Sequence, residues 1–287
     1  MFQRFVPGAV SLCLIAGLAG CAGWPFGGGA AADNSQAERI IRTYDLDGML
    51  AQVGPIIRDS LDSNLPATVP ADKRRQLDAV IDQIYAPERL AQDMAQRLQQ
   101  RAVERDQTGK LAVAAETVGD PLVGRMVANE QAAETEAFAT GFQAFLQQPR
   151  DPAEEPRLAR MRELISEMQL VDLQIEFNAG MLRGMVAARN EVVPADYEVS
   201  VENRARMLDQ TRESLRERLP SQLPTMLLYA HREVSDADVY AYLALHDQPG
   251  MRWVNRALPV VLADTLTAAA ERLAGAYPPP SADAPRD

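Results

Sequence analysis

Apolar side chains recur every three or four residues over most of this chain, and that spacing limits its fold more than any other feature. Strict alternation of apolar and polar residues, which is typical of half-buried strands, is nearly absent. The longest stripe consists of Met161, Leu164, Met168, Val171, Ile175, Leu182 and Val186. Such spacing places apolar residues on one face of an α-helix. The sequence therefore predicts an all-α helical bundle in which each amphipathic helix buries one face.

Prolines interrupt this helical pattern at defined places. Pro55 is expected to kink or restart the first helix, and a heavily charged helix that carries Leu208 and Leu215 is expected to end near Pro220 and Pro224. Glycines, small residues and further prolines mark the remaining boundaries. The predicted organisation is a signal peptide at 1–20, a flexible tether at 21–35, helical regions at 36–148 and 157–275, a Pro-rich linker at 149–156, and a disordered Pro-rich tail at 276–287.

The two helical regions resemble each other when one is slid along the other. Gly48-Met49-Leu50 matches Gly180-Met181-Leu182, the surroundings of Pro121 match those of Pro249, and the apolar residues 111–115 match 239–243. Similar offsets that differ by a few residues are what loop insertions produce after a duplication. Two diverged repeats are therefore predicted, with chance agreement between two Ala- and Leu-rich helical sequences as the alternative.

A helical hairpin is predicted at 234–274. Ser235, followed by Asp238 three residues later, is typical of a capping box at a helix start. Pro249-Gly250 is expected to stop that helix, and the stripe from Val254 to Leu273 then forms the last one.

This segment resembles the bacterial family described as domain of unknown function 2059. The acidic helix start at 235–238, the Pro249-Gly250 turn and the Leu258-Pro259 step carry the resemblance, whereas Leu245-His246 replaces the aromatic pair of that family. The resemblance covers about 100 residues. It implies an exported helical protein and names no reaction.

The first 21 residues resemble a lipoprotein signal peptide. Arg4 precedes an apolar run at 5–18 that is too short to cross a bilayer, and Leu18-Ala19-Gly20-Cys21 resembles a lipobox. The resemblance implies cleavage between Gly20 and Cys21 and lipidation of Cys21, with two or more acyl chains giving a stable anchor. Because Ala22 follows the cysteine, an outer membrane lipoprotein facing the periplasm is expected. The alternative is an ordinary secretory signal cut near Ala22 or Ala30.

Cysteine content and charge narrow the possible partners and chemistry. Cys13 lies in the segment that would be removed, so the mature chain would have no free thiol, disulfide or thiolate metal site. The formal net charge of −11 disfavours nucleic acid as a partner.

No set of residues indicates catalysis, a metal or a cofactor. His231 and His246 are not spaced as metal ligands, and helix-end capping is the expected role of both. The pairs Asp236 with Asp238 and Glu154 with Glu155 are expected to stabilise helix starts. Five methionines are expected in the core, with an adaptable ligand groove as the alternative: Met161, Met168, Met181, Met185 and Met207.

These observations lead to an expected function in cell-envelope maintenance. The chain is predicted to be a non-enzymatic, lipid-anchored periplasmic protein that binds another envelope protein. Two alternatives stay open, namely a periplasmic carrier that holds an apolar ligand or lipid between its helices, and an enzyme whose site the sequence does not reveal.

Overall fold

A computed structural model describes residues 34–66, 68–133, 135–149 and 151–276. The predicted signal peptide, Cys21, nearly all of the tether and the tail from 277 onward lie outside the described residues. Within the described ranges there are thirteen α-helices and no β-strand, which confirms the all-α fold. None of the helices in those ranges combines the length and the apolar character needed to cross a membrane.

The first region contains eight helices, which follow one another through short connections. They are α1 (Ser35–Thr43), α2 (Leu46–Ala51), α3 (Val53–Asn64), α4 (Ala71–Ile84), α5 (Pro87–Glu104), α6 (Thr108–Thr117), α7 (Pro121–Ala132) and α8 (Glu136–Leu146). The second region contains five helices, three of them long. They are α9 (Glu155–Glu167), α10 (Leu170–Val192), α11 (Val201–Ala230), α12 (Asp236–His246) and α13 (Pro249–Ala276). Short 3-10 turns at Pro152–Glu154 and Ala195–Tyr197 precede α9 and α11.

Side-chain caps begin several of these helices where the sequence supplies an oxygen. The Ser235 hydroxyl accepts a hydrogen bond from the backbone N–H of Asp238 at 3.1 Å, which confirms the predicted helix start. Asp120, Thr135 and Ser200 cap α7, α8 and α11 in the same way. The positions of these short polar side chains therefore set where the helices begin.

Two predicted proline effects are confirmed. The helix that carries Met49 ends after Ala51, and α3 begins at Val53 with Pro55 in its first turn. The Pro-rich segment separates α8 from α9, with Pro152 in a 3-10 turn and Pro156 in the first turn of α9. Proline is tolerated in a first turn because the N–H that it lacks has no partner there.

The prediction that a helix ends near Pro220 and Pro224 is wrong, because α11 continues through both prolines to Ala230. A proline inside a helix costs about 3 kcal/mol relative to alanine. In α11 that cost is offset by burial of Leu219, Leu223 and Leu227, since burying one leucine side chain contributes about 1.5–3 kcal/mol. Packing against the core therefore outweighs the helix-breaking tendency of these two prolines.

The connection between α12 and α13 is short, since α12 ends at His246 and α13 begins at Pro249. Pro249 and Gly250 were expected to stop α12, and they also form the first turn of α13. A Cβ at Gly250 would lie 2.8 Å from the backbone oxygen of Lys110, so glycine allows α13 to approach α6 closely. Helix α12 packs mainly on α9, with further contacts to α7, and has few contacts with α13. The two helices are therefore consecutive without lying along each other.

The centre of the molecule is the pair formed by α10 and α13, which pack against each other over most of their length. Helices α3 and α4 cover α10, while α4, α5 and α6 cover α13. Helix α11 lies on α10 and α9. Both helical regions thus contribute to one hydrophobic core, which contains residues from 37 to 273.

The two regions share further parallels in element order, although their duplication stays a hypothesis. Asp45 and Gln169 each adopt a left-handed backbone conformation directly before a helix that begins with leucine. Pro121 and Pro249 each begin a helix that follows a short one. The left-handed residues pair the start of α2 with the start of α10, which is a different register from the one indicated by the Gly-Met-Leu match.

The close approach of α10 and α13 makes Gly180 sensitive to substitution. A Cβ at Gly180 would lie 2.3 Å from Cδ1 and 2.6 Å from Cβ of Leu266, so Gly180→Ala is expected to destabilise the protein by about 1–3 kcal/mol. Gly124 of α7 is exposed and has no atom within 4 Å of the position of its missing Cβ. Gly124→Ala, the matched control, is expected to stabilise by about 0.5–1 kcal/mol. Urea unfolding of both variants measures these changes, and equal effects would contradict the packing argument.

Candidate functional site

A surface cleft of about 1220 Å³ lies among the described helices. It lies between the start of α4, the C-terminal half of α10, the start of α11 and the end of α13. This volume exceeds the 300–1,000 Å³ of common small-molecule sites. Because α4 comes from the first helical region and the other three helices come from the second, both regions are needed to form it.

Three helices each present one face to this cleft at the spacing of successive helical turns. The residues are Arg183, Ala187, Asn190 and Glu191 on α10, Val201, Arg204, Ala205 and Leu208 on α11, and Thr267, Ala270, Glu271 and Ala274 on α13. Small apolar side chains therefore alternate with charged ones along every wall. The cleft formed by these residues together with Lys73 and Gln76 of α4 is called the charged groove below.

The connection between α10 and α11, which forms one wall of the groove, is held by side chains of α10. The amide of Asn190 donates to the backbone oxygen of Val199 at 3.1 Å and accepts from its N–H at 2.9 Å. Arg189 donates to the backbone oxygen of Tyr197 at 2.7 Å. Three hydrogen bonds thus fix a connection that has little regular structure of its own.

Six charged side chains line the groove, and none of them forms an ion pair or a side-chain hydrogen bond with another described residue. The cations are Lys73, Arg183 and Arg204, and the anions are Glu191, Glu198 and Glu271. Unpaired charges that face a cleft are available to a ligand, because its groups of opposite charge can replace the water around them.

Arg183 is the most constrained of these cations. Its side chain is half-buried, and its Nη1 is buried without a hydrogen-bond partner among the described residues. Burial, followed by the positive charge of Arg212, lowers the pKa of its guanidinium, while Glu176 opposes this shift. Glu176 is already held by Arg212 through two hydrogen bonds of 2.9 and 3.2 Å. The charge of Arg183 is therefore only partly compensated.

Glu191 provides a corresponding anionic position two helical turns farther along α10. Burial, together with the nearby negative charge of Glu198, raises the pKa of its carboxyl group. No basic side chain is among the causes of this shift. Along α10 and the segment that leads into α11, Arg183 and Arg204 thus lie toward one end, and Glu191 and Glu198 lie toward the other. Lys73 and Glu271 add one charge of each sign on the walls formed by α4 and α13.

The side chains that line the groove are suited to charge pairing and to apolar contacts. The residues that line the groove include no histidine and no cysteine, and Thr68 and Thr267 provide its hydroxyl groups. Across the ranges that the structure covers, no three metal-ligating side chains of the His, Cys, Asp or Glu type come together. The groove has the chemistry of a site that recognises a charged ligand.

Both histidines lie in a separate, buried polar cluster. His246 is fully buried, and its Nδ1 accepts a hydrogen bond of 3.1 Å from the amide of Asn255, which also donates to the backbone oxygen of Glu167 at 2.9 Å. The ring packs edge-on against Tyr242 at a centroid distance of 4.6 Å and lies 5.9 Å from the ring of Tyr44. The prediction that His246 caps helix-end carbonyls is therefore wrong.

The same prediction is wrong for His231, which directly follows the last residue of α11. Its Nε2 lies 3.2 Å from a carboxylate oxygen of Glu130, so its side chain bonds to α7 instead of capping carbonyls. Burial raises the pKa values of Tyr44 and Tyr242, and the negative charge of Glu130 adds to both shifts. At neutral pH the tyrosines and His246 are uncharged. The residues of the cluster do not line the charged groove, and they pack in the core.

The other singled-out side chains also have structural roles. Asp236 pairs with Arg157, which donates hydrogen bonds of 2.6 Å to the backbone oxygens of His231 and Val234. Glu155 pairs with Arg162 at 2.8 Å. Met161, Met168 and Met181 are buried and Met185 and Met207 are half-buried, while none of the five lines the groove.

Motifs and spacing did not single out Arg183, Arg204 or Glu191. On an amphipathic helix, a charged residue that faces a cleft has the same spacing as one that faces open solvent.

No protein-family model, no curated protein and no solved structure matches this chain.

The buried state of His246 predicts a pH-dependent contribution to stability. Burial lowers its pKa to about 3 in the folded protein, whereas the pKa of a histidine in an unfolded chain is about 6.5. The unfolded chain therefore takes up a proton that the folded chain rejects, and the free energy of unfolding falls as the pH drops from about 6.5 toward 3. The slope from this one group is up to about 1.4 kcal/mol per pH unit.

His246→Phe keeps a ring at this position and removes the titration. Urea unfolding of the wild type and this variant at several pH values between 7 and 4 measures the difference in slope. A variant whose stability depends on pH as steeply as that of the wild type would refute the role assigned to His246.

Proposed function

We propose that this chain is a non-enzymatic, lipid-anchored protein of the outer membrane that faces the periplasm and binds another envelope protein through the charged groove. The observation that carries the proposal is the groove itself, which is about 1220 Å³ in volume and is lined by six charged side chains that form no ion pair with another described residue. The partner contributes a polypeptide segment to the groove.

The mixed lining supports a polypeptide over an apolar ligand. A hydrocarbon in the groove would remove Arg183 and Glu191 from water without giving them a partner, which costs several kcal/mol for each buried charge. A polypeptide offers apolar side chains to Ala187, Ala205 and Leu208 and charged or hydrogen-bonding groups to the residues between them. The alternative of an apolar-ligand carrier is correspondingly less well supported.

The fixed wall of the groove supports binding as the main activity. Asn190 and Arg189 hold the connection at 193–199 in place. A wall that is already ordered loses little conformational entropy when a partner arrives, so more of the contact energy appears as affinity.

The anchor in this proposal is the lipid on Cys21. Residues 22–34 separate that cysteine from α1 and belong to the segment that the sequence predicts to be a tether. A flexible segment of about this length has a root-mean-square reach of about 20 Å. This length lets the folded body contact a partner on the same membrane without lying on the bilayer. The proposed membership of the family described as domain of unknown function 2059 is consistent with export and names no partner.

Site-specific photo-crosslinking tests the groove as the binding surface. A photoreactive residue in place of Ala274, an exposed residue at the groove, is expected to give a discrete crosslinked protein in intact cells. The matched control is Ala128, an exposed alanine of α7 that does not line the groove. Crosslinks to lipid alone, or the same products from both positions, would contradict the proposal.

Fatty-acid labelling tests the anchor. In a producing strain, Cys21→Ser is expected to abolish incorporation of radiolabelled palmitate and to release the protein from the membrane fraction, because no other cysteine would remain in the mature chain. Cys13→Ser is the matched control and is expected to keep both properties. Equal labelling of the wild type and Cys21→Ser would refute lipidation at this position.

A further inference from the structure

The positions of the charged side chains along the groove limit which ligands can bind there. Arg183, Ala187 and Glu191 are successive residues on one face of α10, at intervals of four. Since an α-helix rises 1.5 Å per residue, the backbone positions of Arg183 and Glu191 are about 12 Å apart along the helix axis. Ala187, the residue between them, is small and apolar, so a ligand backbone can pass close to α10 at that point.

At the cationic end, the arrangement is incomplete without an anion. Arg204 of α11 is close enough to Arg183 to lower its pKa, and Arg212 adds to that repulsion. Glu176, the carboxylate whose charge opposes the pKa shift of Arg183, makes both of its hydrogen bonds to Arg212. The Nη1 of Arg183 is buried and has no hydrogen-bond partner among the described residues, so the loss of its hydration is not compensated within the protein.

At the anionic end, the two carboxylates belong to different elements. Glu191 lies in the last turn of α10, and Glu198 follows the 3-10 turn Ala195–Tyr197. The backbone around Glu198 is held because Arg189 bonds to Tyr197 and Asn190 bonds to Val199. The two carboxylates are therefore kept near each other, and neither forms an ion pair with another described residue, so a ligand cation would relieve their repulsion.

We infer that the occupant of the groove is an extended polypeptide segment with a basic and an acidic side chain about four residues apart. The acidic side chain pairs with Arg183 and Arg204, and the basic one pairs with Glu191 and Glu198. An extended chain advances about 3.3 Å per residue, so about four residues span the 12 Å between the two ends. This inference rests on the proposed function and specifies the chemistry of the segment that the groove accepts.

A zwitterionic lipid headgroup fits the spacing less well. It carries its phosphate and its ammonium on one short ethanolamine arm, which cannot bridge two turns of α10. Its acyl chains would also place hydrocarbon against Lys73 and Glu271 on the other walls.

Short peptides with defined charges test the inference on the full-length mature chain. The test uses four fluorescent peptides of about seven residues, which have blocked ends and otherwise identical Ala-rich sequences. One carries Lys and Glu four residues apart, and a second carries them at adjacent positions. The third carries two Lys four residues apart, and the fourth carries two Glu four residues apart. Fluorescence anisotropy measures the affinity of each. The peptide with Lys and Glu four apart is expected to bind about fivefold or more tightly than each of the other three.

A charge reversal in the protein gives the sharper test. Glu191→Lys makes both ends of the groove cationic, and this variant is expected to prefer the peptide with two Glu over the peptide with Lys and Glu. Glu217→Lys, which makes the same charge change at an exposed position of α11 outside the groove, is the matched control and is expected to keep the wild-type preference. Circular dichroism confirms that both variants keep their helical content.

The results that would contradict the inference differ from those that would contradict the proposed function. Equal binding of all four peptides, or no binding by any of them, overturns the charge spacing, while the crosslinks from Ala274 still decide whether the groove binds a protein. Unchanged peptide preference in Glu191→Lys also overturns it. Vesicles of phosphatidylethanolamine that displace the bound peptide would assign the groove to lipid instead and overturn both.

Discussion

The close contact between α10 and α13 is the constraint on which the rest of the structure depends. Gly180 lets Leu266 of α13 reach the backbone of α10, and Gly184, one turn later, leaves space for Ile57 and Tyr85 from the first helical region. Because packed interiors tolerate little added volume, these two glycines set the separation between the central helices and their neighbours. The C-terminal half of α10 lines the charged groove together with the start of α11 and the end of α13.

The same packing explains why the groove belongs to the whole molecule rather than to one half of it. Helix α4 and residues 68–70 come from the first region and close a side of the groove, while three helices of the second region form the remainder. If the two regions arose by duplication, the site arose from their association, since neither copy contains all of its walls. A search for equivalent cavities within each half would therefore overlook it.

Much of the fold was predictable from the sequence, because the signals for it are local. Apolar stripes marked the helices, and Ser235 marked a helix start. The predictions failed where distant residues decided the outcome. Pro220 and Pro224 lie within α11 because core contacts hold that helix together, and His246 is buried because α13 supplies Asn255 as its partner. Most of the site escaped prediction for the same reason, since the unpaired state of Arg183 depends on Arg212 occupying Glu176, and no spacing along the chain reveals it.

The hydrogen bonds from Asn190 and Arg189 to the connection that precedes α11 have a kinetic consequence. A recognition surface that keeps one shape before and after association has no slow rearrangement to complete, so encounter leads directly to the docked complex. Differences among competing segments would then be expressed mainly in how long each one stays. If the chain is anchored to a membrane as proposed, the lifetime of each complex rather than its rate of formation would select the partner.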